Sequence, residues 1–349
     1  MEAIGYAKKI SIVMPAYNAG KTIDRAINSV LNQDFQDWEL IITDDGSSDN
    51  TLAIITEYSN KDKRIRIFSI ENSGSAKYPR DYAIYNACSD YILYLDADDY
   101  LGENYLDIIW NSHIKTGADL VLAKMAVFDE VTKSPMWFIP AKPYDKAIYK
   151  GLDLVKDTLN GWKIGFNGAL ISKRLLDDTM SYPKNDKPIW MNSDEYDSRA
   201  ILCKSPNVFF VDAIYHYSYC KESISNNVNI KQFHRLCTNY DLHVLVSNHF
   251  SKDSEEYKLI NRHCLLSLAD SLTLYYSYNC ILSNDERIWV SKKSSELFEI
   301  IDFQSVSYIY RFIYSNFKVL RCLMHIKAIL KKSSAYKLYI LLKHANNVK

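Results

Sequence analysis

The chain has 349 residues, of which 48% are hydrophobic and 24% charged; this composition excludes a disordered protein and allows one elaborated domain or two domains. The formal net charge is zero, but nine Lys and Arg and no Asp or Glu follow Asp302, so residues 1–302 carry nine net negative charges. With no secretory signal at residues 1–9, no run of ~18 apolar residues and no Cys-x-x-Cys pair, we expect a cytoplasmic protein without a zinc site.

Strand and helix patterns alternate in the first half of the chain. Short apolar runs predict strands at 10–14, 40–43, 65–69 and 92–95. Helices are predicted between them at 23–31, where Thr22 is the expected cap, at 49–58 and around 81–87, and one more begins near 103. This alternation predicts an α/β domain of right-handed βαβ units around a mainly parallel sheet. Ligands of such sheets bind beyond the carboxyl ends of the strands.

Acidic residues follow the fourth predicted strand directly. If the chain stays extended there, Asp96 and Asp98 point to the same side, roughly 7 Å apart, where they can share a divalent cation and its bound phosphate. The alternative is a solvated turn in which one of the acids caps the next helix. An Asp-x-Asp pattern alone does not separate the two readings.

The loops after the other predicted strands carry residues suited to a nucleoside diphosphate. Carboxylates can accept hydrogen bonds from a base or a ribose, and an Arg can pair with phosphate. A Gly-rich phosphate loop of the Gly-x-Gly-x-x-Gly or Walker type is absent. The sequence therefore favours Mn2+ or Mg2+ as the group that neutralises the phosphates.

Four motifs in this order resemble the successive signatures of family 2 glycosyltransferases with the GT-A fold, of the bacterial surface-polysaccharide type. The resemblance is tight over about residues 8–130 and loose to about 220. The motifs are Ile12-Val13-Met14-Pro15-Ala16-Tyr17-Asn18, Asp44-Asp45-Gly46-Ser47-Ser48-Asp49, Glu71-Asn72-Ser73-Gly74 and Leu95-Asp96-Ala97-Asp98-Asp99.

The resemblance implies roles for residues at the nucleotide. Tyr17 would lie against the base, Asp45 would accept a hydrogen bond from it, and Asp44 would stand beside it near the ribose. Pro15, Asn72 and Gly74 would belong to the same donor-binding loops. Each residue alone is more often structural, with Tyr17 in the packing and Asp44 as a turn residue.

The resemblance also implies roles at the diphosphate. Arg80 matches the family's arginine that approaches the diphosphate, Asp96 would meet the ribose or the metal, and Asp98 would coordinate Mn2+ or Mg2+. Where the family often has Ala-Arg-Asn, this chain has Pro79-Arg80-Asp81, which leaves the role of Asp81 open.

An acceptor hydroxyl needs a base, because a protonated alcohol is a poor nucleophile. The resemblance implies an acidic residue for this role before a helix in the second half of the domain. Asp194 is the first choice and Glu195 the second, with a helix cap as the alternative for the segment. Trp162 and Trp190 could stack on a sugar or pack in the core. His216 could contact the diphosphate or the metal, but a structural histidine is the more frequent case.

The rest of the chain reads as helical, because no Pro follows Pro206 and no Gly follows Gly168. We expect a GT-A nucleotide-sugar-binding catalytic domain at 1–220 and an all-α region at 221–349. Its basic, apolar tail, 303–349, fits an anionic membrane surface. The alternative is that the tail packs on the catalytic domain. Nucleic acid fits poorly, because the rest of the chain is acidic.

The resemblance favours a metal-dependent inverting glycosyltransferase that moves one sugar from a nucleotide sugar, with UDP expected, to a saccharide or lipid-linked saccharide in surface polysaccharide synthesis. A processive synthase is disfavoured because the chain lacks Gln-x-x-Arg-Trp. A nucleotidyltransferase would need a basic Gly-rich loop after the first strand. The remaining alternative is a catalytically inactive nucleotide-sugar-binding or scaffold subunit, which would lack acids at 96, 98 or 194.

Overall fold

The computed structural model describes residues 9–129, 134–140, 144–145, 147–159, 161, 163–177, 179–180, 193–219 and 229–332. They fall into two compact units, formed by Met1–Ile189 with Asp197–Glu222 and by Trp190–Tyr196 with Ser223–Lys349. Trp162, Trp190 and the tail beyond residue 332 lie outside the described residues.

The first unit is built on a mixed sheet of nine strands among the described residues. These are β1 (Ile10–Ala16), β2 (Trp38–Asp44), β3 (Ile65–Ser69), β4 (Tyr91–Tyr94), β5 (Tyr100–Leu101), β6 (Leu120–Asp129), β7 (Pro135–Ile139), β8 (Leu170–Ser172) and β9 (Val208–Tyr219). Their order is β3-β2-β1-β4-β8-β6-β9-β5, with β7 beside β6.

The strands that carry the predicted motifs are parallel, as the sequence predicts. β3, β2, β1 and β4 pair in parallel, so their carboxyl ends lie at one edge of the sheet. Beyond β4 the directions are mixed, because β8 is antiparallel to both β4 and β6, whereas β9 runs parallel to β6. All seven residues of β1 are buried, which explains its continuous apolar run.

Helices of the first unit connect or flank these strands. They are α1 (Ile23–Leu31), α2 (Thr51–Lys61), α3 (Lys77–Tyr85), α4 (Tyr105–Thr116), α5 (Gly151–Leu159) and α6 (Ser193–Lys204), whose first four residues are grouped with the second unit. In α1 the buried residues are Ile23, Ala26, Ile27 and Val30, the spacing of a helix with one face on a sheet.

Two local predictions for the helices need correction. Thr22 makes no side-chain cap, because its Oγ1 donates backwards to the Ala19 carbonyl. α3 begins at Lys77, four residues before the predicted start, so Arg80 lies inside the helix. The apolar spacing used for the prediction did not register this polar first turn.

The second unit is helical over its described residues, as the sequence predicts. Its helices are α7 (Arg235–His249), α8 (Glu255–Tyr278), α9 (Asn284–Ile300), α10 (Tyr308–Tyr314) and α11 (Phe317–Lys332). α8 packs against α7, α9 and α11. Ser254 caps α8, and Ser283 with Glu286 forms a capping box on α9. No helix in the described part of the chain is long and apolar enough to cross a membrane.

Candidate active site

The loops after β1 and β2 hold each other in place. Asn18 has a left-handed φ of 49°, and its N–H donates to Ser47 Oγ at 2.9 Å. Its side-chain oxygen accepts from the Ser48 N–H at 2.8 Å. Asp49 accepts from the Gly20 N–H and from Thr51. Asp49 therefore braces the loops, which matches the structural alternative for an acid in this motif.

Asp44 and Asp45, at the end of β2, are both buried but differ in their partners. Asp44 Oδ2 accepts from the Ser47 N–H at 3.3 Å and from Ser69 Oγ at 3.4 Å. Asp44 Oδ1 is buried and has no hydrogen-bond partner among the described residues. A buried carboxylate oxygen without a donor costs free energy, so this atom is suited to accept a hydrogen bond from a ligand.

Both carboxylate oxygens of Asp45 accept hydrogen bonds from the loop after β3. Its Oδ1 accepts from the Ser73 N–H at 2.8 Å and its Oδ2 from Ser73 Oγ at 3.1 Å. Asn72 Nδ2 donates to the Asp45 carbonyl, and Gly74 has a positive φ of 72°. Burial, which Ser73 opposes, raises the pKa of Asp45 above its usual value. Asp45 thus anchors the Asn72–Gly74 loop.

The acids after β4 form a turn, so the extended geometry expected for them is wrong. The Asp99 N–H donates to the Asp96 carbonyl at 3.1 Å, and the chain reverses at Ala97 and Asp98. This turn leaves Asp96 partly buried, Asp98 exposed and Asp99 fully buried. Because these acids are not in a strand, the alternation of side chains along a strand does not determine which of them point the same way.

Asp96 is held between two donors. Arg80 Nη2 donates to its Oδ1 at 2.9 Å, and Asn167 Nδ2 to its Oδ2 at 3.0 Å. The Arg80 guanidinium also lies 5.2 Å from the centroid of the partly buried Tyr94 ring. The structure thus brings the predicted Arg80 and Asp96 together at the ends of α3 and β4.

The buried carboxylate of Asp99 holds the turn at residues 96–99 through hydrogen bonds to β9. Its carboxylate accepts from the Tyr215 hydroxyl at 2.7 Å and from the Ser218 N–H at 2.8 Å, while that hydroxyl accepts from the Asp96 N–H at 3.2 Å. Arg25 Nη2 donates to the Asp98 carbonyl at 2.6 Å. Burial, followed by the charges of Asp98 and Asp96, raises the pKa of Asp99 well above its usual value.

Two aromatic predictions have different outcomes. The Tyr17 ring, just after β1, is 45% exposed, so it is not one of the buried packing tyrosines. His216 stacks on Tyr100 with ring centroids 4.3 Å apart and also contacts Phe128. Burial, with the charge of Arg25, lowers the pKa of His216 below its usual value. These contacts favour the structural reading of His216.

Few side chains at this site could coordinate a hard cation. No group of three or more His, Cys, Asp or Glu among the described residues is arranged to hold a metal ion. Both Asp96 oxygens already accept hydrogen bonds, whereas Asp98 is the exposed carboxylate of the turn. Carboxylate oxygen suits Mn2+ or Mg2+, so the residues fit such an ion if diphosphate oxygens complete its coordination.

Asp194 and Glu195 stand in the first turn of α6 and are grouped with the second unit. Asp194 is exposed. Glu195 is half-buried, with Oε2 3.9 Å from His263 Nε2. Glu195 also lines a polar cavity of about 210 Å³ in that unit, together with Arg235, Thr238, Asn239, His263 and Ser267. Both acids lie at the start of a helix, as predicted. Of the two, Glu195 is the more enclosed.

Several contributing residues were missed by sequence reasoning. Asn167 contacts the acid turn from the loop before β8, Tyr215 from β9 and Arg25 from α1, all far away in the chain. The Asn167-Gly168 pair, in which Gly168 has a positive φ of 75°, is a turn signal in the sequence. That signal does not show that Asn167 contacts Asp96. Such contacts follow from the strand order, which no local pattern contains.

Comparisons of the sequence with known proteins agree with this geometry. Residues 11–178 match the family model described as Glycosyl transferase family 2. Glycosyltransferase GlyG of Streptococcus pneumoniae serotype 4 is 27% identical over 60% of the chain and 70% of its own length. The Escherichia coli UDP-Glc:alpha-D-GlcNAc-diphosphoundecaprenol beta-1,3-glucosyltransferase WfgD is 29% identical over 62% and 80%. Poly(ribitol-phosphate) beta-N-acetylglucosaminyltransferase TarP of Staphylococcus aureus is 38% identical over 34% of the chain, and only 37% of TarP is covered.

Solved structures show the same fold. The crystal structure of S. aureus TarS 1-349 superposes with a TM-score of 0.65 at 17% identity, covering 93% of this chain and 90% of that one. The same protein in complex with UDP-GlcNAc gives a TM-score of 0.63 at 18% identity, with 93% and 91% covered. The fold of the chain is therefore that of TarS, a GT-A fold followed by a helical region.

Proposed function

We propose that the chain is a family 2 glycosyltransferase, because residues 11–178 match the model of that family, and that it catalyses a metal-dependent, inverting transfer of one sugar from a UDP-sugar. The acceptor is a hydroxyl of a saccharide or lipid-linked saccharide in surface polysaccharide synthesis. Residues 1–220 form the nucleotide-sugar-binding catalytic domain, and residues 221–349 form the helical region with its basic tail.

The observation that carries this proposal is Asp44 Oδ1, which is buried at the carboxyl ends of the parallel strands and finds no hydrogen-bond donor in the described part of the chain. A base N–H or a ribose hydroxyl of the nucleotide would supply the missing donor. Tyr17 offers an exposed ring face to the base from the adjoining loop. Pro15 and Asp45, with Asn72 and Gly74, set the shape of these loops.

The diphosphate is assigned to the end of α3 and the acid turn. Arg80 would neutralise one phosphate while its contact with Asp96 fixes the guanidinium, and Asp98 with the diphosphate would hold Mn2+ or Mg2+. Such an ion supplies charge neutralisation for the departing nucleoside diphosphate. With that charge balanced, the leaving group needs no separate general acid.

Acceptor activation is assigned to the first turn of α6. A carboxylate there, Asp194 or Glu195, takes the proton of the acceptor hydroxyl as this oxygen attacks the anomeric carbon. The bond from that carbon to the diphosphate oxygen breaks in the same displacement, so the configuration inverts. One base suffices, because the sugar never becomes attached to the protein.

The relatives support the donor and acceptor classes. The name of the E. coli relative states a UDP-Glc donor and a GlcNAc-diphosphoundecaprenol acceptor. S. aureus TarS has been crystallised with UDP and with UDP-GlcNAc. These proteins favour UDP as the nucleotide and a surface polymer or its lipid-linked precursor as the acceptor of this chain.

Membrane docking through the helical unit is part of the same proposal. Three apolar residues of α10 are exposed, Tyr308, Ile309 and, at 78%, Phe312. α11 buries Leu320, Met324 and Ala328, while its other side exposes an apolar row of Val319, Ile326, Ile329 and Leu330.

Basic residues border the apolar surface of α10 and α11. They are Arg311, Lys318, Arg321 and Lys327, and no acid follows Asp302. Exposed apolar residues bordered by cations fit an anionic bilayer, each charge near the surface contributing about 1 kcal/mol. Docking there would bring the enzyme to a lipid-linked acceptor, peripheral to the inner face of a cell membrane.

The catalytic proposal is tested by offering the purified chain a panel of nucleotide sugars with Mn2+, Mg2+ or EDTA, and measuring nucleoside diphosphate release. We expect release from a UDP-sugar, enhanced by a lipid-linked or polymeric acceptor and abolished by EDTA. Binding of UDP-sugar without release under any acceptor would favour the inactive scaffold subunit instead.

The membrane proposal is tested by sedimentation with anionic and neutral liposomes at low and high salt. Truncation at Asp302 is a poor variant because it would uncover the α8 surface beneath Leu320 and Met324. The better variant replaces Tyr308, Ile309 and Phe312 with Ser, and Ile288→Ser on α9, where Ile288 is 61% exposed, is the matched control. Only the triple variant should lose salt-sensitive pelleting with anionic vesicles; equal pelleting of both variants would exclude this surface.

A further inference from the structure

The polar cavity of about 210 Å³ in the second unit is lined by the starts of α6 and α7 and by the middle of α8. All six lining residues belong to that unit. They are Glu195 from α6, Arg235, Thr238 and Asn239 from α7, and His263 and Ser267 from α8. The volume is far larger than one water molecule needs. Because every lining side chain carries a polar group, the cavity suits a polar ligand.

Arg235 contributes a guanidinium group whose donors are mostly unused. Its Nε donates to the Gln232 carbonyl at 3.0 Å. Its two terminal nitrogens, which hold the other N–H donors of the group, make no hydrogen bond or ion pair with any residue that the structure describes. Burial lowers the pKa of Arg235 below its usual value, although the charges of Asp270 and Glu195 oppose this. An anion in the cavity would give these donors a partner and balance the partly buried charge.

Ser267 adds a hydroxyl donor to the same cavity. Asn239 Nδ2 donates to Ser267 Oγ at 2.7 Å, and Asn239 Oδ1 is 3.0 Å from His263 Nε2. Since Ser267 Oγ is the acceptor of the Asn239 bond, its own O–H can donate elsewhere, and no described residue accepts from it. Thr273 and Ser277 on the same helix differ, because both donate to the carbonyl four residues earlier. The Ser267 hydroxyl is therefore available to a ligand.

We propose that this cavity binds a phosphate group of the acceptor through Arg235 and Ser267, and so holds the acceptor hydroxyl beside Glu195. This inference rests on the proposed function, in which Glu195 is one of the two candidate bases. A guanidinium binds phosphate through two parallel hydrogen bonds, to which a serine hydroxyl adds another. The names of two relatives state a diphosphate-linked lipid and a poly(ribitol-phosphate) as acceptors, and both contain this group.

The carboxylate of Glu195 makes the cavity selective for a phosphate ester that also carries a hydroxyl. Glu195 Oε2 lies 3.9 Å from His263 Nε2, and Glu195 lines the same cavity as Arg235. This carboxylate would repel a free phosphate ion. In a phosphorylated sugar or polyol, a hydroxyl lies only a few bonds from the phosphorus. Such a ligand can place its hydroxyl on Glu195 and its phosphate on Arg235.

The test measures the affinity of acceptor analogues by isothermal titration calorimetry. The full-length protein is first saturated with UDP and Mn2+, so that the proposed diphosphate site of the donor is occupied. The probes are the decyl diphosphate ester of GlcNAc and a short ribitol-phosphate oligomer, compared with phosphate-free decyl N-acetylglucosaminide and ribitol. We expect wild-type protein to bind at least one phosphorylated probe about 10-fold or more tightly than its phosphate-free counterpart. The probe that gains identifies the phosphate as a lipid diphosphate or a polymer phosphodiester.

Two variants and a control assign the gain to the cavity. Arg235→Met should weaken binding of the phosphorylated probe about 10-fold or more and leave the phosphate-free counterpart within about 3-fold of wild type. Ser267→Ala, which keeps the guanidinium, should weaken the phosphorylated probe about 3-fold or more. Arg262→Met is the matched control, because Arg262 is exposed on α8 and does not line the cavity. Its affinities should equal those of wild type.

Each outcome decides for or against the phosphate subsite. Unchanged binding by Arg235→Met, or an equal loss for a phosphorylated probe and its counterpart, would overturn the assignment, as would an equal loss in Arg262→Met. If Arg235→Met does not fold by circular dichroism, Ser267→Ala decides: a loss confined to the phosphorylated probe supports the subsite, and no loss refutes it. Wild-type protein that binds no UDP contradicts the proposed function, whereas protein that binds UDP without preferring either phosphorylated probe contradicts only the subsite.

Discussion

Two buried carboxylates at opposite ends of β2 should respond oppositely to neutralisation. Asp44, at the carboxyl end, has a buried Oδ1 that no described residue hydrogen-bonds. Glu39, near the amino end, accepts from Ser11 Oγ at 2.6 Å, from the Cys88 N–H at 2.7 Å and from Arg66 Nη1 at 2.7 Å. One carboxylate therefore has an acceptor atom left for a ligand, and the other is engaged by the protein.

The magnitudes follow from the hydrogen bonds at stake. Asp44→Asn should remove a charged acceptor for the nucleotide, worth about 1.5–3 kcal/mol, so the Kd for UDP should rise roughly 10- to 150-fold. The free energy of unfolding of the unliganded protein should stay equal or increase, because an uncompensated buried charge is removed. Glu39→Gln should leave the Kd unchanged and lower the free energy of unfolding by about 1–3 kcal/mol.

The assays are isothermal titration with UDP and Mn2+ and urea denaturation of the unliganded protein. The stability difference at Glu39 should depend on pH, since hydrogen bonds from Ser11, Cys88 and Arg66 overcome burial and hold its pKa below 4.5. That stabilisation is complete above pH 4.5 and disappears as pH falls through the lowered pKa. Asp44→Asn protein with wild-type UDP affinity would refute the assignment of Oδ1 to the nucleotide.

Three further predictions concern the acids and their supports. Asp98→Asn should abolish metal-dependent transfer with normal circular dichroism and unfolding, and full turnover by this variant would remove Asp98 from the metal site. Asp194→Asn and Glu195→Gln separate the two candidate bases. The variant that removes the base should lose ~10²-fold or more in turnover with nearly unchanged UDP affinity, so measuring the turnover of both variants decides the assignment. Tyr215→Phe removes a donor to buried Asp99 and should lower the free energy of unfolding by about 1.5–3 kcal/mol. Because the pKa of Asp99 is already raised by burial and would rise further, that loss should grow with pH in denaturation series; a pH-independent loss would contradict it.

Local patterns were sufficient for the first four strands and for the helical nature of the second unit. β1 and β2 are buried on both faces, so their nearly continuous apolar runs indicate both the strand and its burial. The absence of Pro and Gly predicted helices without predicting their packing. The directions of β5 to β9 were not predictable, because they depend on pairings between residues far apart in the chain.

The order of the motifs predicted which residues meet at this edge of the sheet, but not the geometry in which they meet. Motif order placed Arg80 and Asp96 at one edge of the sheet, where they pair at 2.9 Å. The turn at Asp96–Asp99 was missed because its determinant, the Tyr215 hydroxyl, comes from β9. Similarly, the saturation of Asp45 by Ser73 and the unpartnered oxygen of Asp44 depend on loop conformations that spacing does not specify.

The most direct measurement for the proposed function is a crystal structure of the chain soaked with UDP and Mn2+. The nucleotide should lie at the carboxyl ends of β1 to β4, with a base or ribose donor within about 3.2 Å of Asp44 Oδ1. Its diphosphate should lie between Arg80 and an ion on Asp98. A nucleotide bound elsewhere, or one whose nearest donor leaves Asp44 Oδ1 without a hydrogen bond, would contradict the proposed site.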